Sequence, residues 1–293
     1  MSGELLAILS ALLWAMSSVL LTIGARRLHV LPLNLVRCVV STAFFWLLLP
    51  FYGGLAAVAA IPPSAWLWLA ASVLALLIIG DTLYFRSMDL AGVSWAMPAS
   101  NIHPLWVVLL AGFFLDEPIG WPLIAGALLV IGGVVLLGRT QGGAEAGRPP
   151  DPAGRRRGLI LALTVSAVWA LGQVALKVGA GEIHSVVINS IRQPLGMAGL
   201  LALNVARGHW SDLRQLDGRS WVVILLASLV GTGVGTLLWV TALQTAGAAR
   251  TSVITSAAPL LAIPFSMLWL AERPSRWTVA GTLLTAAGVA LVV

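Results

Sequence analysis

A single aspartate, Asp81, stands inside the apolar run LLIIGDTLYF (residues 76–85), with Tyr84 one turn later on the same helix face. An ionisable group in such a run either has a permanent partner, here Arg86 or a neighbouring helix end, or faces a cavity where it can take up and release a proton. Asp81 is therefore a candidate for both solute binding and proton coupling. His103 is the second candidate for both roles. It precedes Pro104, which removes a backbone hydrogen bond in mid-run and frees carbonyls near Asn101. The alternative for His103 is a neutral imidazole bonded to helix backbone. Trp169, Gln173 and Lys177 recur at intervals of four, a stripe on one helix face, and Trp14, Ser18 and Thr22 form a matching stripe. On a cavity wall the indoles, with Trp239, would supply apolar and cation-binding surface, and Gln173 would orient a polar group. Ordinary helix packing is the competing explanation, and Lys177, near a run end, is placed to snorkel to water.

Two Asn–Arg pairs, Asn34 with Arg37 and Asn189 with Arg192, are each one helical turn long. Glu117 and Glu272 lie in LDEP and LAERP segments. Two readings are open for them. Arg37 with Glu272 and Arg192 with Glu117 are gate latches, or the two glutamates mark helix starts, where acids meet the positive end of a helix and proline occupies the first turn. No metal or cofactor is expected, since His29, His103, His184 and His209 show no ligand spacing. The chain has no P-loop, HExxH helix, nucleophile elbow or paired intramembrane carboxylates, so ATP-driven pumping and enzymatic catalysis are not expected.

Elements that hold these residues follow from composition. With 59% hydrophobic and 10% charged residues and a mean hydropathy of +0.97, the chain reads as an integral membrane protein. Apolar runs predict ten helices at 3–23, 32–52, 64–86, 91–114, 119–138, 158–178, 185–206, 219–243, 246–269 and 274–293. Strands are not expected, because an open strand edge is unsatisfied in lipid. The first run has a counterpart at 158–178 and is read as a span, not as a cleaved leader. Cys38 is the only cysteine, which excludes an intrachain disulfide.

Arg26, Arg27, Arg86, five arginines from Arg139 to Arg157, Arg207, Arg214, Arg219, Arg273 and Arg276 fall on one side of this topology, against Lys177 and Arg250 on the other. Retention of basic loops in the cytoplasm then predicts both termini outside, in the periplasm of a bacterial inner membrane. The net charge of +6 is explained by topology and by contact with anionic membrane lipid, with no nucleic-acid motif.

The chain also repeats itself at an offset of 155 residues: Gly3, Trp14, Gly24, Asn34, Arg37, Gly80, Pro104, Glu117 and Gly126 recur as Gly158, Trp169, Gly179, Asn189, Arg192, Gly235, Pro259, Glu272 and Gly281. Five spans per half is an odd number, so the second half is inserted upside down. The expected organisation is a first repeat at 1–138, a flexible cytoplasmic linker at 139–157 rich in Gly, Pro and Arg, and an inverted repeat at 158–293.

A Trp in the first span of each half (LLWAMSS, AVWALGQ), an Arg early in the second, Pro-Leu in the fourth, a Glu at its end and a Gly-rich fifth resemble the EamA family of the drug/metabolite transporter superfamily, over essentially the whole chain. The resemblance implies an all-α membrane fold of ten helices in two inverted five-helix repeats around a central cavity. It implies transport of a small metabolite by alternating access; the expected solute is an amino acid or related amphipathic compound, carried by a monomer with or without protons. A lipid or lipid-linked precursor flippase of the same architecture is the alternative, and a membrane-embedded enzyme the remote one. The relatives often have cytoplasmic termini, opposite to the arginine-based orientation.

Overall fold

A computed structural model describes residues 2–24, 28, 30–141, 152–207, 216–270 and 275–293. Among the described residues the regular secondary structure is helical, joined by short turns, with no strand. The first half holds α1 (Gly3–Gly24), α2 (Val30–Leu48, prolonged by a 3-10 turn at Leu49–Tyr52), α3 (Gly54–Ala59), α4 (Pro63–Val73), α5 (Asp81–Ala91), α6 (Val93–Ser100), α7 (His103–Phe114) and α8 (Trp121–Gln141). The second holds α9 (Pro152–Ala180), α10 (Ser185–Arg207), α11 (Gly218–Ser228), α12 (Thr236–Ala246), α13 (Ala248–Thr255), α14 (Ala258–Leu270) and α15 (Arg276–Val292). Proline in the first turn starts α4 and α7, and the side chains of Asp217 and Ser275 cap α11 and α15 by accepting from Ser220 N and Thr278 N.

Eight helical stretches are long and apolar enough to cross a membrane, and two shorter apolar helices, Trp121–Leu137 and Arg276–Val292, occupy the places expected for the fifth and tenth spans. Phe51 and Phe113 are each 81% exposed, an outward apolar belt that only lipid would cover. One expectation shifts at the linker. Helix α8 runs to Gln141 and α9 begins at Pro152, because proline is tolerated in a first turn and arginine favours helix, so only 142–151 lie outside the described residues.

Three irregularities recur 155 residues apart. A π-helical stretch, Leu74–Gly80, joins α4 to α5, and its counterpart Leu229–Gly235 joins α11 to α12. Turns at Asn101–Ile102 and Ser256–Ala257 break the fourth and ninth spans just before Pro104 and Pro259. Contacts also repeat with the halves exchanged. A Cβ on Gly80 would lie 2.5 Å from the Trp169 indole, and one on Gly235 would lie 2.9 Å from that of Trp14. The first helix of each half thus packs into the other half: α1 against α11, α12 and α14, and α9 against α4, α5 and α7.

Helices α8 and α15 cross at glycine pairs. A Cβ on Gly126 or Gly133 would sit 2.6 Å from the carbonyl oxygen of Gly288 or Gly281, so the two backbones approach as closely as hydrogen-only side chains allow. Gly133→Leu is expected to force the helices apart and to cost about 3 kcal/mol or more. A fall in yield of monodisperse protein and in its unfolding temperature in detergent would register this; an unchanged melting curve would show that the crossing tolerates bulk.

Candidate functional site

A cavity of about 530 Å³ lies between the halves. Its walls come from α1, α2, residues 76–85, both helix breaks, α9, α10 and residues 232–239. Two aromatic groups flank it. Trp14 stands 5.6 Å from Trp239, and Trp169 stands 5.0 Å from Tyr84 and 6.0 Å from His103, centroid to centroid. Trp14 and Trp169 are equivalent at the 155-residue offset, as are Tyr84 and Trp239, so the aromatic walls follow the internal repeat. The Trp14 indole N–H donates to the Gly231 carbonyl at 3.1 Å, a carbonyl inside the π-helical stretch.

Two guanidinium groups and a carboxyl group share this cavity: Arg37, Arg192 and Asp81. Arg192 is well supplied. Its Nε donates to Ser72 Oγ at 3.0 Å, a terminal nitrogen donates to Asn189 Oδ1 at 3.3 Å, and the guanidinium lies 5.9 Å from the Trp239 ring centroid. Arg37 donates from its terminal nitrogen to Asn34 Oδ1 at 3.0 Å, but its Nε is buried with no partner. The repeat explains the difference, since the position equivalent to Ser72 is Ala227. Asp81 lies within electrostatic reach of Arg37 and of the Trp169 indole. Among the described residues neither arginine is within 4 Å of a carboxylate, and the ion pair of that length is Arg250 with Glu4.

The structure brings together Trp14, Asp81, Tyr84, Asn101, His103, Trp169, Gln173 and Trp239, and with them Arg37 and Arg192. His103 Nδ1 is buried and unpartnered at the α6–α7 break. Ser18 stands apart. It is exposed and donates to Ala15 O at 2.7 Å, because the inward face of α1 at that turn passes through Ser17, which donates to Ala227 O at 2.8 Å. Glu117 lies outside the cavity, and Glu272 lies outside the described residues. Thr232, Gln193 and Cys38 also line the cavity. Only their disagreement with their repeat counterparts, Leu77, Cys38 and Gln193, marked them in the sequence.

Gln173, on the cavity wall, is bonded into a cluster at residues 243–250. Glu117 accepts from Ala248 N at 2.7 Å and Ala249 N at 3.0 Å, capping α13 from another helix pair. Lys177 Nζ donates to Leu243 O at 2.8 Å and Gln244 O at 2.9 Å, supplying the carbonyls at the end of α12. Gln173 donates to Ala248 O at 3.1 Å, and Gln244 to Ile183 O at 2.8 Å. The repeat counterparts of Gln173 and Lys177, Ser18 and Thr22, bond only within α1. The bonds of Gln173 and Lys177 are thus not repeated by Ser18 and Thr22, and Glu272, the counterpart of Glu117, lies outside the described residues. Glu117 is engaged here and not with Arg192, and Lys177 reaches carbonyls instead of snorkelling.

The profile of the EamA-like transporter family matches residues 1–139 and 156–293. An uncharacterized transporter of Archaeoglobus fulgidus is 26% identical over 278 residues, 94% of this chain and 92% of that protein. A protein of Pseudomonas aeruginosa named as a probable 4-amino-4-deoxy-L-arabinose-phosphoundecaprenol flippase subunit, ArnE, is 39% identical over 77 residues, 26% of this chain and 64% of that one. One crystal structure superposes with a TM-score of 0.83 over 99% of this chain and 95% of the other at 20% identity, a likeness of fold.

Proposed function

Since the chain belongs to the EamA-like transporter family, we propose that it is a secondary transporter carrying a small amphipathic metabolite, an amino acid or a related compound, through the cavity between two inverted five-helix repeats. The helices at Trp121–Leu137 and Arg276–Val292 complete the ten spans, and two matches of one family profile support the duplication. Both termini lie outside a bacterial inner membrane by the arginine rule, and the monomer is the working unit.

The cavity walled by both halves carries this reading. On this reading the bonds of Gln173, Lys177 and Glu117 at residues 243–250 bar one end of that cavity, as one half of an alternating-access cycle requires. Exchanging the roles of the repeats opens the barred end and bars the open one. Arg37, Arg192, Glu117 and Glu272 act in that exchange, with the glutamates holding helix starts in one state and free in the other. Asp81, and His103 beside it, are the groups that move protons if transport is coupled.

The likeness to a flippase subunit supports a second reading, in which the solute is a lipid-linked precursor. A cavity of about 530 Å³ suits a metabolite and would hold only the headgroup of such a lipid, whose tail would leave sideways between helices. Reconstitution into liposomes separates the readings. The carrier is expected to exchange a labelled amino acid across the membrane at rates well above protein-free vesicles, with and without a pH gradient. Transfer of polyprenyl phosphosugar between leaflets with no amino-acid flux would favour the flippase.

A further inference from the structure

We infer that the cavity selects solutes by a carboxylate and that Arg37 is the group that binds it. This deepens the carrier reading and rests on it. Two guanidinium groups and one carboxylate line the cavity, so these three side chains carry one excess positive charge, and among the described residues none of the three is ion-paired within 4 Å. Water cannot satisfy such groups cheaply in a partly dry site; a complementary ion can.

The two arginines are not equivalent. Arg192 has Ser72, Asn189 and the face of Trp239, and only 2% of its surface is exposed. It is held as part of the wall. Arg37 has Asn34 alone, and its Nε has no acceptor because Ala227 stands where the other half has Ser72. A guanidinium with Nε free presents the two-pronged edge that matches a carboxylate. The apolar body of the solute then lies against Trp14 and Trp169, aromatic groups on the same cavity wall. Asp81 sets the opposite limit. Its carboxylate, within electrostatic reach of Arg37, repels a second negative group, so a monocarboxylate, with or without an amine, fits better than a dicarboxylate.

The test uses two carbon skeletons in three forms each: 3-phenylpropionate, phenylalanine and phenethylamine, and 4-methylpentanoate, leucine and isoamylamine. Binding to the full-length protein in detergent is read by quenching of its tryptophans, and transport by counterflow in liposomes. On any skeleton that is carried, the acid forms should bind about tenfold or more tightly than the amine. Arg37→Gln should remove that preference, and Arg37→Lys should keep part of it. Equal competition by the amines overturns the inference, as does an unaltered acid preference in Arg37→Gln. Should Arg37→Gln not fold, the acid-to-amine ratio of the wild type and of Arg37→Lys still decides. Absence of flux for all six compounds in the wild type is a different result: it overturns the small-metabolite reading itself, and this inference with it.

Discussion

Asp81→Asn protein is expected to lose accumulation driven by a pH gradient while retaining one-for-one exchange of solute. Asparagine keeps the size of the side chain and a polar oxygen, but it cannot change charge. Among the described residues Asp81 is the carboxylate on the cavity wall and has no ion pair within 4 Å, and its repeat counterpart is Thr236, so the fold does not need a charge at this place. Exchange requires only that the loaded protein change sides, whereas uphill movement requires a proton to bind on one side and leave on the other. Loss of the gradient-driven component by about tenfold or more, with exchange within about threefold of wild type, is the expected pattern. The measurement is uptake into liposomes with an imposed pH step, beside counterflow at equal pH. Accumulation that survives in Asp81→Asn would move the proton to His103; loss of both activities would make Asp81 part of solute binding and not of coupling.

The parts of this molecule that were legible in the sequence are those written as composition or as repetition. The first apolar run, 3–23, is the helix Gly3–Gly24, and the run 185–206 is Ser185–Arg207, because lipid demands unbroken apolar helix and polar residues end it. Pro104 and Pro259 announced the breaks that put Asn101 and His103 on the cavity. Comparison of the halves also picked out Asp81 against Thr236, a difference that costs too much in lipid to be idle.

Other features left no readable trace. The π-helical stretches Leu74–Gly80 and Leu229–Gly235 lie in sequences that are apolar on every face, so an added residue per turn disturbs no pattern. The stripe through Trp14 and Ser18 missed the inward serine by one residue, since Ser17 and Ser18 are both compatible with an apolar helix and only tertiary packing chooses between them. From the sequence Glu117 is expected at the start of the helix that follows it, but α8 begins at Trp121, and the helix start that Glu117 caps is that of α13, which begins 131 residues later and reaches it only through the fold. Sequence spacing carries no information about such a partner.

The bonds at residues 243–250 set how far the barred state is favoured, and removing them should change the equilibrium by a measurable factor. Glu117 makes two charge-assisted bonds to the α13 N-terminus and Lys177 two to the end of α12. Bonds to charged groups contribute about 1.5–3 kcal/mol each where water is kept out. Not all of that differs between states, because both side chains find water once the barred end opens. If half of one such bond per residue is lost on opening, Glu117→Gln with Lys177→Met shifts the ratio of states by about tenfold or more. The chain supplies its own reporter, since Cys38 is its only thiol and lines the cavity. In wild-type vesicles a membrane-impermeant thiol reagent is expected to reach Cys38 from the side opposite residues 243–250, and slowly or not at all from theirs. In the double variant, labelling from the 243–250 side should rise about tenfold, while the opposite rate falls only as the open population on that side is drained. Both single variants should fall between. Unchanged labelling from both sides would mean that the helix ends at Gly247 are held by packing alone, and that Glu117 and Lys177 stabilise the fold without governing which way the cavity faces.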